Sequence, residues 1–87
     1  LVAADNGQVI TITTRGVTLN ANVFSAGQSV SIYNNSASAQ IITSGVGVTM
    51  KTTLTNLVGN RTLAAYGLCT ILCIASNSFI ITGAGVT

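Results

Sequence analysis

Along this chain, apolar and polar positions alternate with a period of two more often than they recur at helical spacing. Val9-Ile10-Thr11-Ile12-Thr13 reads as a strand, and Val30-Ser31-Ile32-Tyr33-Asn34 does so more sharply. In the second segment Val30 and Ile32 face one side of a sheet and Ser31 and Tyr33 the other. Asn35-Ser36-Ala37-Ser38 supplies turn residues before Ala39-Gln40-Ile41-Ile42-Thr43, so a hairpin is predicted here. A second hairpin is predicted from Leu68-Cys69-Thr70-Ile71-Leu72-Cys73-Ile74, a turn at Ala75-Ser76-Asn77, and the return Ser78-Phe79-Ile80-Ile81-Thr82. The nearly continuous apolar run Leu68 to Ile74 has the look of a strand covered on both faces. Between the hairpins, Met50 to Tyr66 reads as loop with a short strand near Arg61 to Ala65. Leu54, Leu57 and Val58 have helical spacing there, but Thr52-Thr53 and Gly59-Asn60 argue against a helix.

A phrase recurs as Gly16-Val17-Thr18, Gly47-Val48-Thr49 and Gly85-Val86-Thr87. The last two copies share the lead-in Ile-Ile-Thr, at Ile41–Thr43 and Ile80–Thr82. Paired glycines after a strand permit a positive-φ turn before the next extended segment, so a strand-turn-strand unit used twice is expected. The unequal spacing rules out a solenoid. Thr, Ser and Asn make up about a third of the chain, which suits strands and turns. The predicted class is all-β: one domain over residues 1–87, a compact β-sandwich or barrel-like body of short antiparallel strands and hairpins.

Composition narrows the chemistry. Of 87 residues only 5% are charged, and Pro, His and Trp are absent. Asp5 is the one carboxylate side chain, set against Arg15, Lys51 and Arg61. A carboxylate dyad, a Ser-His-Asp triad and a Cys-His pair are therefore impossible within one chain, and no enzymatic activity or catalytic residue is expected. Cys69 and Cys73 stand four apart, which in a strand puts them on one face but roughly 13 Å apart. That is too far for a disulfide, and with no His and one distant Asp a metal site lacks ligands. Two reduced, buried packing thiols are expected, with no metal and no cofactor.

Other motifs have plain readings. Gly45-Val46-Gly47 lacks the third glycine, following helix and downstream acid of a dinucleotide fingerprint, and reads as a turn. The aromatics Phe24, Tyr33, Tyr66 and Phe79 are not interleaved with the basic residues, and a net charge of +2 gives little counterion release, so no nucleic-acid partner is expected. Phe24 and Phe79 are assigned to the core. Asn34-Asn35-Ser36 and Asn60-Arg61-Thr62 match the N-glycosylation pattern but are read as turns. No apolar run approaches the roughly 20 residues of a membrane-spanning helix, and no membrane partner is expected. No signal peptide is visible, and because Leu1 is not an initiator Met, the N-terminus is read as processed or omitted.

A domain of this size buries only about 60–65% of the surface of its unfolded chain. With 48% hydrophobic residues and few charges, apolar surface is left over, and such surface usually meets a partner. An oligomer, or a module within a larger assembly, is expected.

The ordered phrases Val23-Phe24-Ser25-Ala26-Gly27-Gln28, Val30 to Ser36, Gly47-Val48-Thr49, Gly59-Asn60-Arg61-Thr62-Leu63-Ala64, Gly67 to Leu72 and Ile81 to Thr87 carry a family resemblance. Together they resemble a module of tailed-bacteriophage virion proteins, found in small head decoration proteins and in the C-terminal domains of phage fibres. The resemblance runs from about Asp5 to Thr87, and the closing Gly-Ala-Gly-Val-Thr fits a C-terminus in that group. It implies a structural virion protein on the capsid surface or tail, trimeric and without enzymatic activity. The first expectation is a capsid decoration or cement protein sitting on the major capsid protein lattice. The alternative is a tail-fibre, spike or head-fibre module that binds the host surface, where Asn- and Ser-rich turns and an exposed Tyr would meet a glycan. Tyr33, Arg61 and Tyr66 are the expected interface residues: Tyr33 from its outward phase, Arg61 as a lone guanidinium in an acid-poor chain in want of an acceptor.

Overall fold

A computed structural model describes residues 1–87. The chain begins with a short 3-10 turn, Ala3–Asp5, and then forms seven strands. These are β1 (Val9–Ile12), β2 (Val17–Leu19), β3 (Ser29–Asn34), β4 (Gln40–Ser44), β5 (Thr49–Thr52), β6 (Arg61–Ala75) and β7 (Ser78–Val86). All seven belong to one curled sheet, so the all-β, barrel-like class is what the molecule has.

The 15-residue β6 organises the rest. Along one edge it pairs antiparallel with β7, whose far side carries β5 in parallel. Its other edge is shared: Arg61–Leu63 pair with β4 and Leu68–Leu72 with β3. Beyond β4 lies β2 and beyond β3 lies β1, both parallel to their neighbours. Three of the six pairings are thus parallel, a mixture that the expectation of antiparallel hairpins did not contain.

The hairpin expected from Val30–Asn34 and Ala39–Thr43 does not form. Those segments are β3 and β4, which bond to different stretches of β6 rather than to each other. The second expected hairpin is present as β6–β7, turning at Ser76-Asn77 with Asn77 at φ 56. Asn tolerates the left-handed region because its short side chain bonds locally. Here the Asn22 backbone N–H donates to Asn77 Oδ1 at 2.7 Å, and Asn77 Nδ2 donates to Asn22 Oδ1 at 3.3 Å. This reciprocal clasp ties the β2–β3 loop to the tip of the β6–β7 hairpin. The region 50–66 holds more strand than expected: Met50–Thr52 belong to β5, and the segment starting at Arg61 continues to Ala75.

The glycine phrase is not a twice-used unit. Gly47 does make the expected turn into β5, at φ 81. Gly83 and Gly85, also at positive φ, lie inside the continuous strand β7. Gly16 serves close approach instead, because any Cβ there would collide with the Ile41 carbonyl.

One cluster of 13 buried side chains fills the interior. Phe24 and Phe79 meet edge to face at its centre, with ring centroids 6.2 Å apart. Only 15 of 87 residues are buried, so much of the chain's apolar content is left outside.

Candidate interaction surface

The run Leu68–Ile74 is not covered on both faces. Cys69, Ile71 and Cys73 are 1% exposed, whereas Leu68, Leu72 and Ile74 are 49%, 40% and 47% exposed. The strand is apolar on both sides but only one side is core. The pairing registers show what surrounds the exposed side. Val9, Ser31, Thr70 and Thr82 lie abreast across β1, β3, β6 and β7. Hydroxyls knit this row together: Ser31 Oγ and Thr70 Oγ1 are 3.1 Å apart, and Thr53 Oγ1 donates to Thr82 Oγ1 at 3.1 Å. On one side runs Thr11, Tyr33, Leu68 and Ala84; on the other run Ser29, Leu72, Ile80 and Lys51. The outer face is therefore a hydroxyl row between two rows in which apolar and polar side chains are mixed in equal number, and Lys51 at its margin is its one charge.

Next to this face, β6 is interrupted. Leu63 pairs with Val86 and Leu68 with Ala84, so four residues of β6 oppose one of β7. The stretch Ala64–Gly67 forms a bulge in which Tyr66 sits at φ 59 and is 60% exposed. A left-handed conformation costs a bulky L-residue roughly 1–2 kcal/mol, so surrounding contacts must hold it. Gly67 admits the bulge because a Cβ there would meet Ala64 O at 2.9 Å and Ala84 O at 3.0 Å. Fully buried Asn34 locks it: Nδ2 donates to Leu63 O at 3.1 Å, Ala64 O at 3.1 Å and Ser38 O at 2.8 Å. Asn34 Oδ1 accepts from Ser36 Oγ at 2.7 Å, which satisfies the buried amide on both sides.

The expected interface residues do not gather at one point. Tyr33 is half-buried on the outer face, opposite Leu68 and so near the bulge that carries Tyr66. Arg61 pairs with Ile42 at the start of β6, three residues before the bulge begins, and its Nε donates to the Asn60 carbonyl at 2.6 Å. Asp5, the one carboxylate side chain, lies in the 3-10 turn before β1, where its Oδ2 accepts from the Val2 backbone N–H at 2.8 Å. Asn34 is buried, so its sequence motif offers no acceptor for a glycan in the folded chain.

Both cysteines are free and buried. Burial pushes the Cys69 thiol up to about 11, against a smaller opposing effect from a hydrogen bond with the Ile32 backbone. Cys73 Sγ lies 3.1 Å from Ala75 O. An open groove of about 440 Å³ lies beside the outer face, lined by Thr52, Thr53, Thr55, Leu54, Leu57 and the β7 end. At its rim Leu54 is fully exposed, at φ 66. The groove lining contains neither an aromatic ring nor a carboxylate.

The outer-face leucines and Asn34 are the residues that sequence reading passed over. Parity within Leu68–Ile74 was the available signal: the lone polar residue, Thr70, shares its phase with Leu68, Leu72 and Ile74. Comparisons with protein families, with curated proteins and with solved structures each returned no match.

Proposed function

We propose that this chain is a structural component of a tailed-bacteriophage virion, a small oligomeric decoration protein that stabilises the head. The single observation that supports this reading most is the outer sheet face, where Leu68, Leu72 and Ile74 stand exposed among hydroxyl side chains with a single charge at the margin. A surface of that kind is built for contact rather than chemistry. Its mechanism is mechanical: each copy adds apolar and hydrogen-bonded area across neighbouring shell subunits. Copies held together in an oligomer, a trimer by the resemblance, multiply the effect through effective concentration. The proposed contacts include Tyr33 on the outer face, Tyr66 on the bulge beside it, and Arg61 at the start of β6 beyond the bulge.

The test is a comparison of complete particles with particles lacking this chain, under heat and osmotic shock. Earlier DNA release from the deficient particles is the expected result. Equal resistance of the two would end the cement reading.

A further inference from the structure

We propose that β1 is an open sheet edge on which a second copy of this chain docks, β1 against β1, antiparallel about a two-fold axis beside Ile10. This contact does not rest on the virion reading and is distinct from any three-fold one. β1 ends the path of the sheet, with β3 as its neighbour. Ser31 N–H donates to Gln8 O at 3.0 Å and Asn35 N–H to Ile12 O at 2.8 Å. Gln8, Ile10 and Ile12 are thus the residues that face β3, and Val9 and Thr11 turn their N–H and C=O groups away from the sheet. Both are exposed, Val9 at 62%. The other edges are less open. Thr52 N–H donates to Leu57 O and Gly59 N–H to Met50 O, so the chain itself covers β5, and β2 is only three residues long. β1 also lacks the devices that blunt an edge: Val9–Ile12 hold no charge, and the chain has no Pro.

Charge selects the occupant and its direction. Asp5, in the 3-10 turn before β1, and Arg15, in the bend after it, stand five residues to either side of Ile10. Antiparallel pairing with Val9 opposite the second copy's Thr11 brings the Asp5 end of each copy to the Arg15 end of the other. Arg15 is exposed, and Asp5 Oδ2 holds the Val2 N–H, which leaves Oδ1 for a guanidinium. Parallel pairing of two copies would set like charge against like. The antiparallel register also satisfies all four outward groups, because each Val9–Thr11 pair exchanges two hydrogen bonds across the axis. Any strand could meet those backbone groups; an acid at one end and a base at the other match β1's own sequence reversed.

The experiment follows the purified chain over a concentration series by sedimentation equilibrium and hydrogen exchange. A reversible monomer–dimer equilibrium is expected. As dimer forms, the amides of Val9 and Thr11 should gain protection about tenfold, and those of Ile10 and Ile12, which face β3, should not change. Arg15→Asp sets acid near acid at both ends and should weaken dimerisation about tenfold. Adding Asp5→Arg to it should restore most of the loss, and Arg61→Asp, at the start of β6, should dimerise as wild type. Thr11→Pro removes an outward N–H at an edge position that tolerates Pro and should leave the chain monomeric, its fold checked by circular dichroism. If that variant misfolds, the charge exchange decides. A wild-type chain that stays monomeric up to about 1 mM, or an oligomer insensitive to Arg15→Asp and Thr11→Pro, overturns the proposal and leaves the virion reading standing. Protection of Val9 and Thr11 only when another protein is added gives the edge to a foreign strand, and overturns it too.

Discussion

Replacing Asn34 by Ala tests whether the β6 bulge is built from within. Asn34 is fully buried, and its two Nδ2 hydrogens serve three carbonyls: Leu63 O and Ala64 O in β6, and Ser38 O in the following loop. Alanine removes both hydrogens and strips this partner from the buried Leu63 O and the part-buried Ala64 O, whereas Ser38 O keeps the Ser36 hydroxyl as a donor. A buried group stripped of its partner costs about 1–3 kcal/mol, so losing two donors at one site costs about 2–4 kcal/mol. A chain of this length has a total stability of roughly 4–13 kcal/mol, and each kcal/mol moves the melting temperature by about 4–8 °C. Thermal unfolding followed by circular dichroism should therefore show a midpoint lowered by roughly 10–25 °C. Hydrogen exchange should show the amides of Ala64 to Gly67 losing protection. Asn34→Asp keeps the volume but turns acceptor oxygens toward the three carbonyls, and should be at least as damaging. Asn35→Ala, exposed next door, should stay within about 0.5 kcal/mol. A loss below about 1 kcal/mol for Asn34→Ala would refute the idea that this amide holds the bulge.

Other substitutions probe neighbouring features. Gly83→Ala should cost more than about 3 kcal/mol in urea unfolding, because the new Cβ would collide with the Leu68 carbonyl and lie 2.6 Å from Cys69 Cα. Tyr66→Gly should raise stability by about 1 kcal/mol, since it relieves a left-handed conformation at a residue that is 60% exposed. The same variant should bind deficient particles less well if Tyr66 is part of the contact. Cys69 makes stability depend on alkaline pH. Below pH 9 folded and unfolded chains both hold the thiol proton. Between 9 and about 11 the unfolded chain releases it first, so stability falls with rising pH by roughly 2–3 kcal/mol in total. Cys69→Ala should flatten that part of a urea-unfolding pH series, and native Cys69 should resist alkylation at pH 8 until the chain unfolds.

Strand positions were legible wherever local chemistry decided them. The alternation of Val30 to Tyr33 gave the inward and outward faces of β3, and Ser76-Asn77 gave the β6–β7 turn. Pairing was not legible in the same way. β3 and β4 are adjacent in sequence and separated by turn residues, yet both are claimed by β6, which is long enough to bond them at different heights. Local turn chemistry cannot announce a competitor some thirty residues away. The parallel pairs β1–β3, β2–β4 and β5–β7 depend on the same long-range geometry, and a short strand carries no mark of its partner's direction. Leu68 to Ile74 misled for another reason. In a chain that is 5% charged, solvent-facing positions are also filled by Leu and Ile, so hydrophobicity stops reporting burial. Asn34 was hidden because it sits within a run of turn formers, where a buried structural amide and a solvent-facing turn amide look alike. Tyr33 and Tyr66 were singled out as aromatics, and the bulge that brings Tyr66 near the outer face is a consequence of tertiary pairing alone.

The virion reading is tested most directly by quantitative mass spectrometry of purified particles, giving copies of this chain per copy of the major capsid protein. The account predicts hundreds of copies per particle, in a fixed ratio to the shell subunit. A few to a few tens would contradict the head-decoration role and place the chain on a tail or spike, and its absence from the particle would contradict the virion reading altogether.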